Sequence, residues 1–369
     1  MFKGPFRADH VGSFLRPKNL LQARDQFSLK EISASDLRKV EDTAIRDVVR
    51  HQEEVGLKGI TDGEFRRTYF HIDFLEKLDG VTITYGEFAS KFRKDDGSEV
   101  GFRPPTIHVT GKIKHRKSIQ GEDFDFLKSV VQQTPKVSIP SPSMLHFRGG
   151  RDAIDKSVYP DLEEFYADLA DAYAEEIEDL ASRGCRYLQL DDTNLAYLCD
   201  PAIRESTKKR GDDPDSLTHI YCALINRAIA KRPKEMTIAT HLCRGNFKSA
   251  WVAQGSYEPV ADILLNELKM DAFFLEYDDE RSGDFAPLRF LPKGKSVVLG
   301  LMSSKHAAVE SKEVVKRRIS EAAQYAPLDQ LALSHQCGFS STVHGNDLTE
   351  ADQWKKLSLM VEVAEEVWG

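Results

Sequence analysis

Short runs rich in β-branched and aromatic residues alternate along the whole chain with longer stretches whose apolar positions recur every three to four residues. The short runs fall at residues 6–11, 57–61, 136–140, 186–190, 236–240, 272–275, 296–300 and 330–334. Between them, Leu162, Phe165, Tyr166, Leu169, Tyr173, Ile177 and Leu180 share one helical face, and Gly184 stands where that helix has to end. Leu37, Val40, Ala44, Ile45, Val48 and Val55 repeat the arrangement, with Ser35 as the expected N-cap and Gly56 as the stop. Thr349 opens a last helix through Trp354, Leu357, Val361 and Ala364. Eight strands with helical returns predict an α/β chain folded as a closed (β/α)8 TIM barrel, a single domain over residues 1–369. Residues 81–113 break the rhythm. Alternation in Val81-Thr82-Ile83-Thr84-Tyr85, a polar tip at residues 91–97 and the run Thr106-Ile107-His108-Val109 predict a β-hairpin excursion.

A barrel of this kind builds its active site at the C-terminal ends of its strands, so the residues just after each run carry the argument. They are polar: Gly12-Ser13, Asp62-Gly63-Glu64, Ser141-Pro142-Ser143, Asp191-Asp192, His241-Leu242-Cys243, Glu276, Lys305-His306 and Cys337. A lone histidine or cysteine at a strand end is usually a packing residue. Here two thiols, an imidazole and a carboxylate occupy three strand ends, and His241, Cys243, Glu276 and Cys337 form the ligand set that Zn2+ prefers. The long gaps between them separate this set from a zinc finger and suit a catalytic site with an exchangeable position.

Composition narrows the function classes. A formal net charge of −8 argues against nucleic-acid binding, which needs a clustered basic surface. With 41% apolar and 30% charged residues and no apolar run of spanning length, a soluble, cytoplasmic protein without a membrane partner is expected. Five widely spaced cysteines suit reduced thiols better than a disulfide framework.

His241-Leu242-Cys243, Glu276 and Gln336-Cys337-Gly338 resemble the metal ligands of cobalamin-independent methionine synthase, in its C-terminal catalytic barrel. His10-Val11-Gly12-Ser13-Phe14, Asp62-Gly63-Glu64 and Leu188-Gln189-Leu190-Asp191 are similar to further motifs of that family, so the likeness covers nearly the whole chain in its single-barrel form. The resemblance implies a zinc-dependent transfer of a methyl group to the thiol of homocysteine or a similar small thiol. It also implies that Ser13, Glu64 and Asp191 bind the amino-acid portion. Two carboxylates can grip an ammonium group while a hydroxyl meets a carboxylate.

The chain departs from the family in places that bear on the methyl donor. The family's folate segment, with a stacking tryptophan, corresponds to Ser141-Pro142-Ser143-Met144-Leu145-His146-Phe147-Arg148, where Phe147 or His146 are the residues able to stack. The family's proton-delivering histidine aligns with Lys305, beside His306, and these two are the expected general acids. Asp192-Thr193 stands in place of Glu-Pro, and Asp62 in place of a histidine. Arg16, Arg66 and Arg67 form a cationic group that either receives an anionic part of a substrate or is solvated surface. Folate or another methyl donor therefore stays open. The competing readings are a zinc-dependent alkyl transferase resembling the epoxyalkane:coenzyme M transferases, a metal-free barrel resembling uroporphyrinogen decarboxylase, and a non-catalytic zinc protein.

Overall fold

In the computed structural model, which describes residues 4–85, 90–102 and 105–369, six parallel strands lie side by side in chain order. They are Val137–Pro140, Tyr187–Asp192, Thr237–Leu242, Ala272–Glu276, Ser296–Met302 and Leu331–His335. Almost every residue in them is buried, as expected where helices cover the outer face and the inner face is packed. The inner cluster takes Tyr187, Ala239, Ala272, Phe274, Val298 and Ala332 from the strands and Val11 from the N-terminal segment. Lys136 is buried among them, paired with Asp9 at 3.0 Å and lying 4.3 Å from the Phe274 ring centroid.

The first two expected strands are shorter than their sequence runs. Residues 57–61 reduce to Gly59–Ile60, which pairs in parallel with Thr134–Pro135. Residues 6–11 form no named strand and make a single parallel bridge, Ala8 to Leu333. The cause is Asp9, whose carboxylate takes the backbone N–H groups of Phe6 and His10 at 3.0 and 2.8 Å, replacing ladder bonds with side-chain ones. These short pairings lie at the two ends of the six-stranded sheet.

The helices follow the apolar periodicity. Helix Leu162–Ser182 is capped by Asp161, and Gly184, at φ 99°, takes the left-handed position that ends it. Helix Ala34–Glu54 starts earlier than expected: Ser33, not Ser35, accepts the Asp36 N–H as N-cap. Thr349 and Asp352 form a full capping box at the last helix. No helix among the described residues is long and apolar enough to cross a membrane.

The excursion is two nested antiparallel pairs, Asp79–Thr84 with Thr106–Lys114 and Ser90–Arg93 with Glu99–Phe102. Residues 91–93, placed in the tip by sequence, are strand, and the turn occupies residues 94–98. The hairpin folds back onto the loop after Cys243. Arg93 and Trp251 exchange two backbone bonds of 2.8 Å, Trp251 Nε1 donates to Asp95 at 3.1 Å, and Phe92 packs on Phe247 and Ala250.

Candidate metal centre and substrate clefts

Parallel register brings the metal-type residues together. Along strand Thr237–Leu242, alternation points His241 inward and Leu242 into the outer core, and His241 lies opposite Asp191 on one neighbour and Phe274 on the other. Cys243 N–H donates to the Asp192 carbonyl at 2.9 Å, extending the ladder one residue further. Glu276 ends its strand, with its own N–H donated to the Tyr257 hydroxyl at 2.9 Å. Gln336 N–H donates to the Met302 carbonyl at 2.8 Å, which places Cys337 at the same level. The donor atoms of His241, Cys243, Glu276 and Cys337 all lie within 4.8 Å of one another, and all four side chains are buried.

This cluster fits a tetrahedral zinc. The two sulfurs stand 3.6 Å apart without a disulfide, and two thiolates each about 2.3 Å from a tetrahedral ion are separated by about 3.8 Å. Glu276 Oε1 accepts the Arg244 N–H at 2.9 Å, while its Oε2 is buried with no partner. A buried carboxylate oxygen left orphaned is a vacancy in the hydrogen-bond accounting that a cation fills. Asp191 Oδ1 lies 3.4 Å from His241 Nδ1, the arrangement by which a carboxylate orients a metal-binding imidazole. Nε2 lies 3.1 Å from the Gln336 carbonyl, and it is the ring nitrogen that would give up its proton to bind a metal.

The electrostatics match. The Cys243 S–H and the positive His241 ring hold the Cys337 thiol below its ordinary range, and the same shared proton, with burial, pushes Cys243 well above it. Burial lowers the His241 pKa, but Asp191 and the anionic cluster outweigh it and raise it to about 9. The four residues thus hold excess negative charge and bind protons where a divalent cation would replace them.

Ser13, Glu64 and Asp191 line one cleft with His241, Cys243 and Cys337. Glu64 sits at φ 60°, a left-handed conformation rare for a residue with a side chain, and its carboxylate accepts the Ser138 hydroxyl at 3.1 Å. Burial raises its pKa, with Asp191 adding to the effect and Arg67 opposing it. Ser13 is pressed against the loop after Cys337: the Ser340 N–H reaches its hydroxyl at 3.3 Å, and a Cβ on Gly338 would stand 1.9 Å from Ser13 Oγ.

The chain matches the family model of the cobalamin-independent synthase catalytic domain over residues 6–366. It belongs to the cobalamin-independent methionine synthase family. It is 46% identical over 368 residues to the uncharacterised protein YxjH of Bacillus subtilis, across 99% of this chain and 96% of that one. It is 25% identical over 341 residues to the 5-methyltetrahydropteroyltriglutamate–homocysteine methyltransferase of a Synechococcus strain, covering 91% of this chain and 41% of that longer protein. Among solved structures, a candidate vitamin-B12-independent methionine synthase from Listeria monocytogenes superposes with a TM-score of 0.80 at 40% identity, covering 100% of both chains. A B12-independent methionine synthase from a Shewanella species, in complex with selenomethionine, shares the fold at a TM-score of 0.70 and 20% identity, covering 99% of this chain and 98% of that one.

A second cleft adjoins the first. Cys243, Phe70 and Ser341 are common to both clefts, and from there the second opens between Tyr69, Phe92, Tyr197 and Phe247, with Arg148 at its edge. Neither residue expected to stack lines it. His146 is buried against the Tyr221 hydroxyl at 2.8 Å, and Phe147 packs edge-on against Tyr197 and Tyr221. The aromatic walls come instead from the loop after Glu64, the hairpin, the short helix Asn194–Tyr197 and the loop after Cys243. The signal available in sequence was aromatic residues a few positions beyond strand-end motifs, Tyr69-Phe70 and Phe247.

Lys305 and His306 line neither cleft. Lys305 is buried with no hydrogen-bond partner, its pKa pulled up, against burial, by Glu276 and Asp278. The His306 side chain is half exposed, 3.6 Å from Asp95 of the hairpin. The cationic group is also committed elsewhere. Arg66 pairs with Glu41, Asp42 and Asp123, Arg16 donates to the backbone carbonyls of Phe14, Glu64, Arg67 and Ser340, and Arg67 donates to Gln120 and the Ser138 carbonyl. Asp62 accepts the Glu64 N–H at 2.9 Å and shapes the turn.

Proposed function

We propose that the protein methylates the thiol of homocysteine or a similar small thiol with zinc as cofactor, on a single closed (β/α)8 barrel formed by residues 1–369. The observation that carries this reading is that a four-residue donor set, its atoms within 4.8 Å of one another, opens into a cleft bearing Ser13, Glu64 and Asp191. His241, Cys243, Glu276 and Cys337 would hold the metal, which when bound lowers the pKa of a substrate thiol and presents it as a thiolate.

The chain's own residues do the rest. Asp191 and Glu64 receive the substrate ammonium, and Glu64, its pKa raised by burial, is drawn back to the charged form when that cation arrives. The Ser13 hydroxyl meets the substrate carboxylate. Phe70, placed where the two clefts join, excludes water from the reacting sulfur. Lys305, facing the field of Glu276 and Asp278, balances charge behind the ligand set. Proximity of thiolate and methyl donor across Cys243 supplies much of the acceleration.

Among the cleft-lining residues beside the donor set there are two carboxylates and no arginine, which favours an amino-acid thiol over the sulfonate thiol of a coenzyme M transferase. The test is metal analysis of purified protein joined to a mass-spectrometric assay of homocysteine S-methylation over several donors. About one zinc per chain and methylation that fails in Cys243→Ser and Cys337→Ser are expected. Zinc far below stoichiometry, with activity unchanged in both variants, rejects the mechanism.

A further inference from the structure

We propose that the methyl donor is a small methylsulfonium compound bearing a carboxylate, with its sulfonium methyl between the aromatic walls beside Cys243 and its carboxylate on Arg148. This rests on the thiol-methylation reading and adds the identity of the second substrate.

Three observations point to it. The second cleft is walled by Tyr69, Phe70, Phe92, Tyr197 and Phe247, and aromatic faces attract onium cations. Arg148, at its edge, is exposed and has no hydrogen bond or ion pair to any described residue, so its guanidinium is available to a carboxylate.

The third is the leaving group. A methyl leaving a neutral amine nitrogen needs a proton delivered to that nitrogen, and the cleft is poor in acids. Lys305 and His306 do not line it. His71 does, but burial and Arg148 hold its ring neutral, and burial makes the Tyr69 phenol a weaker acid than usual. A sulfonium needs no acid. The substrate thiolate uses a lone pair to form the new S–CH3 bond, the CH3–S+ bond breaks with its pair going to the sulfonium sulfur, and two neutral thioethers result.

The test supplies zinc-loaded protein and homocysteine with CD3-labelled S-methylmethionine, dimethylsulfonioacetate, trimethylsulfonium, glycine betaine, methyltetrahydrofolate with one or three glutamates, and methyl iodide, and counts labelled methionine. The carboxylated sulfoniums are expected to react. Arg148→Gln should raise their KM about 10- to 100-fold, the loss of one charge-assisted pair, and narrow the preference over trimethylsulfonium by the same factor, with Arg148→Lys recovering part. Isothermal titration of S-methylmethionine into the metal-free protein should show the same weakening in Arg148→Gln. Transfer from folate or betaine but not from sulfoniums, or a sulfonium KM unmoved by Arg148→Gln, overturns the inference. Acceleration with methyl iodide alone overturns it while leaving thiol methylation standing. No acceleration with any donor removes both.

Discussion

Cys243 and Cys337 lie 94 residues apart in the chain, and their sulfur atoms face each other at 3.6 Å across the ends of parallel strands, with Glu276 and His241 completing the group. The two cysteines form no disulfide. Bringing four such groups together is electrostatically costly without a cation, so metal content should govern both stability and chemistry. Stripping the metal should lower the midpoint of thermal unfolding, by about 2.7 kcal/mol of lost stability if the metal had been present at a hundredfold excess over its Kd. Differential scanning fluorimetry before and after chelation checks this, and an unchanged midpoint would contradict it.

Asp191 and Glu64 share a cleft and should fail differently. Asp191 touches His241 Nδ1 at 3.4 Å, so Asp191→Asn should weaken zinc binding about 10- to 100-fold in a chelator competition. Glu64 contacts no member of the donor set in the hydrogen-bond network, so Glu64→Gln should retain its zinc and raise the homocysteine KM about tenfold or more. Equal zinc affinity in both variants would show that Asp191 does not orient His241.

Gly338 has no room for a side chain. In Gly338→Ala the new Cβ would meet Ser13 Oγ at 1.9 Å, and separating the two loops should cost about 1 to 3 kcal/mol in denaturant unfolding. Ser13→Gly in the same chain should recover much of that stability without recovering substrate affinity. A fully stable Gly338→Ala would mean the loops yield freely.

Lys136 and Asp9 form a buried pair inside the sheet, and Asp9 also accepts the Tyr187 hydroxyl at 2.7 Å. Removing only the cation leaves a buried carboxylate unpaired, so Lys136→Met should destabilise by about 3 to 5 kcal/mol. Adding Asp9→Asn should return part of it. Equilibrium unfolding of the two single variants and the double variant gives the coupling directly.

His115 Nε2 meets Glu176 Oε2 at 2.6 Å, and the same carboxylate accepts the N–H groups of Ile119 and Gln120, fixing the chain where it returns from the hairpin. The Glu176 hydrogen bond raises the His115 pKa above its ordinary value, against burial. Folding therefore favours the protonated ring. The stabilisation is full below the unfolded pKa of about 6.5 and is lost as pH rises through the higher folded value. Urea unfolding of wild type and His115→Gln should show a stability difference that shrinks from pH 6 to pH 9, and a constant difference would exclude the linkage.

The residues themselves determined a good deal. Six of the eight expected strands form the central sheet, and the metal-type set was readable because residues just past neighbouring parallel strands lie at the same edge of the sheet, whatever packs around them. The capping box at Thr349 and the stop at Gly184 are local, and local chemistry is legible in sequence. Other features were decided only in three dimensions. Residues 6–11 have strand composition, yet Asp9 claims their N–H groups, a competition that depends on which side chains lie nearby. Lys305 and His306 follow a strand end as the site residues do, but Lys305 turns toward Glu276 and Asp278 while His306 faces the hairpin, because side-chain direction past a strand is set by packing. The aromatic cleft is assembled from four separate segments of the chain, and one of its walls, Phe92, reaches it only because the hairpin pairs with Trp251. Strand order brought the four donor-type residues together; the shape and charge of the space facing them depended on loops whose positions no local pattern encodes.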